Sequence, residues 1–556
     1  MINKKYLSVL LAAFLSLGML QDAEAVGSIL RPNIRTRAKM PAQPETTVQT
    51  STVKGQPVVS TAPVAEPQEQ VKETKTVQPS EKKTTSLEEI KARFAQTKRN
   101  VSENERQASE EIKTSTNTVT VAKKQAVVNT VNADTPEIKQ LDAELAGMLG
   151  DKGTQVPGVG VLAYKNGERV YTNCFGRRYI WGDKTGDLPF TSDSRFRVGT
   201  VSQQIVALAT LQLAGQGVLN LDEDISKYLG FTLQNPNNPT VKITARMLMS
   251  HTSSLRDAQY DFNQSWKDIF ANGKGFFANK DQKPGEYFHY ANINYRILAT
   301  ILEKISNTRF DLFMKNGILK DLNIKGGYNI ADFKPKEQKL LGGIYQKQAN
   351  GVWNENGSWV LQMDDFAMLK GHKNVEFPVQ PAEPGKDMWV SLLNYEVGKN
   401  ASMFIPECGL RASLDELSHV LEMVFAQGSY MNKQVIDNKY LDEMFKIHWV
   451  YDDWDKNGET FGGIFEAYGY GVMPYMNGST TRLSTVKAHQ WWGQIGDSYG
   501  VVSGLVIDRR TKSGYVYLAN GQAMNWSDAR SRGKFSKHII WQENINDAVC
   551  RNLFKD

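Results

Sequence analysis

Two stretches far apart in the chain share one texture, and that pairing limits the fold more than any other feature. Gly158 to Tyr164 is an apolar run, Lys165-Asn166-Gly167 is a turn, and Glu168 to Cys174 returns. Asn-Gly tolerates the positive φ that a tight hairpin needs. Much later, Gly500 to Asp508 and Gly514 to Asn520 form a second strand-like pair, joined by Arg509 to Ser513. Ile138, Leu141, Leu145 and Met148 have helical spacing, so an amphipathic helix is expected before the first hairpin. Another is expected after the second, from about Lys534 to Leu553. Helical stretches near Gln203–Gln216, Asn294–Ile305 and Leu414–Phe425 lie between them. Helix, hairpin, many helices, hairpin, helix is the order of an α+β fold closed by its own two ends.

The rest of the chain has a different character. Lys4 and Lys5 precede an apolar run from Tyr6 to Leu20, then Ala23-Glu24-Ala25, so residues 1–25 read as a secretory signal peptide. The run is short for a spanning helix, and an uncleaved anchor is the alternative. No cysteine stands near the cleavage site for a lipid anchor. Residues 26–135 are dominated by Pro, Thr, Gln, Lys and Glu, with Phe94 the one aromatic. Such a segment cannot bury enough apolar surface to offset its ordering entropy, so a disordered tether is expected. Within it Ser86 to Lys113 suits a solvated helix or weak coiled coil. The folded domain is expected over 136–556.

Several function classes drop out. A net charge of +6 on 556 residues, with no basic cluster interleaved with aromatics, argues against nucleic acid. The seven histidines and three cysteines show no metal-ligand spacing, so neither a metal nor a cofactor is expected. Cys174, Cys408 and Cys550 could supply one disulfide, but inert buried thiols are the simpler reading.

Five ordered blocks carry a family resemblance. They are Phe196-Arg-Val-Gly-Thr-Val-Ser-Gln203, Ile243 to Ser253, Pro284 to Asn292, Pro406 to Glu416 and Trp492 to Gly500. Together they resemble the class C β-lactamase and DD-peptidase family of penicillin-binding proteins, over roughly Ile138 to Asn520. The resemblance implies an antiparallel sheet flanked by helices, with a mostly helical subdomain. About 329–401 matches poorly; it holds Trp353, Trp359 and Trp389 and suits a cap on the cleft, a partner surface or plain packing.

The resemblance also implies acyl transfer. A serine at a helix start attacks a carbonyl, a lysine three residues on takes its proton, a tyrosine relays it, and backbone N–H groups hold the oxyanion. Here the aligned nucleophile is Thr200, the lysine position is Gln203, and the third-motif His or Lys position is Gln494. Tyr290 and Asn292 of the Tyr-x-Asn motif survive. Ser202 and Gly496 complete the expected ligand-binding positions. A carboxamide has no basic site near neutral pH, and general acid–base catalysis is typically worth on the order of 10²–10⁴ in rate. Other registers are weak. Ser484-Thr-Val-Lys487 lies before the third motif, and Lys512-Ser513-Gly514 falls in a turn. His489 is the stand-in histidine closest to the third motif, and His289 adjoins Tyr290. The expected protein is exported to the periplasm or cell surface. It has impaired or no catalysis and binds a peptidoglycan-type peptide or a protein partner. The alternative is an acyl hydrolase that uses Thr200, with Tyr290 as base.

Overall fold

The structure is a computed structural model that describes residues 86–115, 132–181, 186–364, 376–379, 388–525 and 527–555. The expected signal peptide and most of the tether fall outside these residues. No helix among the described residues is long and apolar enough to cross a membrane.

The first described element is helix α1, Leu87–Ser115. Ser86 and Glu89 start it with reciprocal bonds: Ser86 N–H donates to Glu89 Oε2 at 2.8 Å, and Glu89 N–H to Ser86 Oγ at 3.2 Å. The sequence suggested a solvated helix. Instead Ile90 is buried within the main apolar core, and the Phe94 ring lies 6.4 Å from that of Phe313. Two apolar side chains one turn apart are too few to signal a seam, yet they dock the start of this helix.

Helix α2, Pro136–Gly147, is capped by Thr135 and buries Ile138, Leu141 and Leu145. Strands β1, Gly158–Lys165, and β2, Glu168–Tyr179, form the first hairpin, with Asn166 at φ 55° and Gly167 at φ 84° in its turn. The short β3 is Leu188–Pro189. Helix α3, Val201–Gly215, and helix α4, Ile293–Ser306, are buried on nearly all sides and form the heart of the helical region. Helix α5, Leu414–Phe425, starts with a Ser413–Glu416 capping box. Strands β4, Met473–Tyr475, β5, Trp491–Ser498, β6, Val501–Asp508, and β7, Ser513–Ala519, complete the sheet, and helix α6, Ile540–Leu553, ends it.

The seven strands lie in the order β4-β5-β6-β7-β1-β2-β3. The late hairpin therefore pairs directly with the early one: β1 runs antiparallel to β7, with Val159 opposite Ala519 and Tyr164 opposite Gly514. Every residue of β6 and β7 is buried, because helices cover both faces of the sheet there. That is why these strands read as apolar runs rather than as an alternation. On one face α2 meets α6, joined by an Arg551–Glu144 ion pair at 2.7 Å. On the other lie α5 and the helical region.

Helix α6 begins at Ile540, not near Lys534 as the sequence suggested. Glu543 explains the difference: its carboxylate accepts N–H bonds from Lys534, Phe535 and Ser536, folding that segment back over the helix start.

The poorly matching stretch has its own small sheet, Ile344–Ala349, Val352–Trp353 and Ser358–Met363. It joins the main domain where Gly521–Gln522 pairs parallel to Tyr345–Gln346.

Candidate functional site

The site begins at the sharp entry into α3. Gly199 has φ 55°, and Thr200 follows as the residue before the helix, with its side chain making no cap bond. Ser202 N–H already donates to Gly199 O and Gln203 N–H to Thr200 O, both at 2.9 Å, so the N–H groups of Thr200 and Val201 are what this end offers to an approaching oxygen. Strand β5 passes very close. A Cβ on Gly496 would lie 2.8 Å from Thr200 N and 2.5 Å from Ser503 Oγ, so only glycine allows that approach.

One turn inside α3, Gln203 is fully buried. Its amide links the other motif positions. Gln203 Nε2 donates to Tyr290 Oη at 2.7 Å, and Gln203 Oε1 accepts from Tyr468 Oη at 3.2 Å. His251 Nε2 lies 3.2 Å from the same oxygen. Gln494, on β5, donates from Nε2 to Tyr468 Oη. Thr200, Gln203, Tyr290, Gln494 and Gly496, far apart in sequence, thus meet at one place.

The direction of every bond in this network follows from one backbone group. Ala291 N–H points at His251 Nδ1 at 3.2 Å, and a backbone N–H can only donate. Nδ1 is therefore unprotonated. Asn294 agrees: its Oδ1 accepts from Ser253 Oγ at 2.5 Å, which turns its NH₂ toward His251 Nδ1 at 3.0 Å. The imidazole proton then sits on Nε2 and is donated to Gln203 Oε1. Gln203 must present its oxygen to His251 and its NH₂ to Tyr290. The Tyr290 oxygen accepts that bond, which leaves its own O–H free to donate elsewhere.

The electrostatics match. Burial drives the His251 pKa down to about 3, so the ring is neutral. Burial also pushes the Tyr290 phenol well above 10, and the hydrogen bond from Gln203 opposes the shift without overcoming it. Tyr290 is a neutral donor, and the one ring lone pair of His251 is already committed to Ala291 and Asn294. A charged lysine ammonium at position 203 could accept neither the His251 nor the Tyr468 bond, both of which the Gln203 carbonyl oxygen takes.

Tyr290 is half-buried in an aromatic wall. Phe465 stacks on it at 5.1 Å, Phe461 meets it edge-on at 6.5 Å, and the His251 ring lies 4.4 Å away. Asn292 precedes α4 and its side chain caps nothing; its N–H and that of Ile293 donate instead to Asp257, both at 2.8 Å.

Other candidates lie elsewhere. Ser202, expected at the binding surface, is fully buried and its hydroxyl accepts from Leu410 N–H at 3.2 Å. It points from the helix into the core because a residue two positions past Thr200 is on another face. Ser484 donates to Asp547 and so closes its S-x-x-K register. Lys512 is exposed in the turn between β6 and β7. His489 is buried against Asp508 at 3.0 Å and stacks on Trp491. His289 pairs with Glu459 at 2.8 Å. The three cysteines are unpaired, and burial pushes each thiol up to about 12. No group of acidic, His and Cys side chains that could hold a metal occurs among the described residues.

Two members of the network escaped sequence reading. His251 stood in a polar run, Ser250 to Ser254, and its φ of 56° marks a turn that aims the ring inward. Tyr468 had no motif at all; pairing of Ala467–Tyr468 with Trp449–Val450 places it.

The chain is 28% identical over 175 residues to Protein flp of Staphylococcus aureus strain N315, covering 30% of this chain and 34% of that protein. It is 29% identical over 171 residues to Penicillin-binding protein 4* of Bacillus subtilis strain 168, covering 28% and 35%. The matches thus span about a third of those relatives. Among solved structures, EstCE1, described as a hydrolase with promiscuous acyltransferase activity, superposes with a TM-score of 0.50 at 17% identity, covering 74% of this chain and 98% of that one. The octameric penicillin-binding protein homologue from Pyrococcus abyssi gives 0.48 at 21% identity, covering 69% and 74%. The Beta-lactamase family profile matches residues 138–533, and the chain belongs to that family.

Proposed function

We propose that this is an exported member of the family that binds a ligand in its cleft without turning it over. The ligand is a peptidoglycan-type peptide or a related acyl compound, held through an acceptor oxygen. One observation carries the reading: the bond chain from Ala291 N–H through His251 and Gln203 leaves Tyr290 as a neutral donor, with the Gln203 amide where the family resemblance expects a lysine base for Thr200. A threonine hydroxyl without a base is a poor nucleophile. The helix start and the Tyr290 hydroxyl remain as donors for a carbonyl or carboxylate.

A second reading keeps some support. Thr200 retains a hydroxyl at the helix start beside β5, so an acyl hydrolase using Thr200 competes with the binding reading. One experiment separates them. The intact protein and Thr200→Ala are exposed to a broad β-lactam and to an activated acyl ester, then followed by mass and by turnover. In parallel, equilibrium binding of a muropeptide is measured for the wild type and Tyr290→Phe. The binding reading expects no adduct, no turnover, and muropeptide affinity about tenfold weaker in Tyr290→Phe, the size of one lost hydrogen bond. An adduct or hydrolysis that disappears in Thr200→Ala would sink it.

A further inference from the structure

The wall that packs on Tyr290 continues outward into a loop with an unusual surface. Trp454 is 93% exposed, and Ile447 and Val450 are exposed nearby in sequence. Val450 lies in the short strand Trp449–Val450 and Ile447 just before it, so Trp454 is the large apolar side chain that the loop itself holds out to water. The loop is also built to hold its shape. Asp452 N–H donates to Asn457 Oδ1 at 2.8 Å, Trp454 N–H to Asp452 Oδ1 at 2.8 Å, and Asn457 Nδ2 to Val450 O at 3.0 Å. It is tied to the segment just before Tyr290, where Phe288 N–H donates to Asn457 O at 3.0 Å and Glu459 N–H to Phe288 O at 3.0 Å. The Trp449 ring stacks on Phe288 at 4.1 Å. An ordered turn tied to the Phe288 segment therefore presents an indole to water.

The charge around that indole selects a partner. Tyr451 to Glu459 carries Asp452, Asp453, Asp455 and Glu459 against one lysine, Lys456, in a chain whose net charge is +6. Asp452, Asp453 and Asp455 are exposed, and none of the three forms an ion pair with a described residue. Tryptophan offers the best ring face for a cation, and carboxylates beside it add Coulomb attraction. An anionic lipid surface would be repelled by the same carboxylates.

We propose that this loop is a docking surface for a basic peptide segment of a partner protein, with a Lys or Arg side chain across the Trp454 ring and the three aspartates around it. The surface is independent of the cleft's own ligand. The test uses the full chain and fluorescein-labelled hexalysine, read by anisotropy at two salt concentrations. Saturable binding is expected, weakened at least fivefold in Trp454→Ala. In Asp453→Asn/Asp455→Asn it should weaken similarly and lose most of its salt dependence. Lys456→Gln, on the same loop, should bind at least as tightly as wild type, and all these exposed substitutions should keep the native melting temperature. Absence of binding, equal binding by all variants, or equal binding of hexaglutamate would overturn the proposal. So would anionic vesicles that bind in a Trp454-dependent way, or calcium alone titrating Asp453 and Asp455. Muropeptide binding at Tyr290 is read separately, so failure here leaves the cleft reading intact.

Discussion

At the scale of single residues, His251 sets the chemistry of the site. A backbone N–H fixes its tautomer, and the tautomer fixes the Gln203 amide and then the Tyr290 hydroxyl. The same ring makes stability depend on pH. Burial lowers its folded pKa to about 3, below the ordinary value of about 6.5 in the unfolded chain. As pH falls below about 6.5 the unfolded chain takes up a proton that the folded protein refuses. Stability is therefore present above that pH and is lost progressively down to about 3. The expected slope from this group is up to about 1.4 kcal/mol per pH unit. Urea denaturation of wild type and His251→Asn between pH 4 and 7 checks it. The variant should be less stable at pH 7 but should lose less on acidification; an identical slope would show that the ring titrates normally. The resemblance singled out Thr200, Gln203, Tyr290 and Gln494. It could not reveal that Gln203 is held by His251 and Tyr468, because those contacts cross 48 and 265 residues.

At the scale of elements, the cleft depends on how closely β5 approaches the start of α3. Gly496 makes that possible, since its missing Cβ leaves space otherwise taken by Thr200 N and Ser503 Oγ. Neither neighbour is the flexible end of a long side chain, so neither can yield cheaply. Gly496→Ala should destabilise the protein by about 1–3 kcal/mol, as overpacking commonly does. It should also weaken muropeptide binding by moving β5 from the helix start. Thermal unfolding together with the binding assay tests both; an unchanged melting temperature would mean the strand shifts without cost. The glycine was legible as part of the third-motif block. Its role was not, because a glycine pattern does not say which backbone comes near. Helix α1 gives the opposite lesson. Its composition is that of a solvated helix, yet Ile90 docks in the core. One or two anchors among many charged residues leave no period for sequence reading to detect.

At the scale of the whole molecule, a buried carboxylate joins the poorly matching stretch to the core. Asp364 follows the strand Ser358–Met363 and accepts from Arg411 at 2.6 Å, with Arg197 at 3.5 Å. Both arginines lie on the short strand pair beside the site, Phe196–Arg197 with Arg411–Ala412. Burial alone would raise the Asp364 carboxyl, but Arg411 and Arg197 hold it below the usual carboxylate range. Breaking a buried pair leaves an uncompensated charge and typically costs about 3–5 kcal/mol. Asp364→Asn, which leaves two guanidinium groups facing an amide, should fall in that range by chemical denaturation. A loss under about 1 kcal/mol would mean water has replaced the carboxylate. The stretch is therefore anchored through the same strand pair that leads into Thr200, rather than hung on the surface.

Sequence by itself determined the order of elements, the closure of the fold by its two ends, and the family. Those follow from local periodicity and from short motifs, which a chain carries in one dimension. Only the tertiary structure decided the direction of each hydrogen bond around Gln203, the burial of Ile90 and Ser202, and the exposure of Trp454. Each of these depends on which distant groups share a small, water-poor volume, and that is set by packing rather than by spacing along the chain.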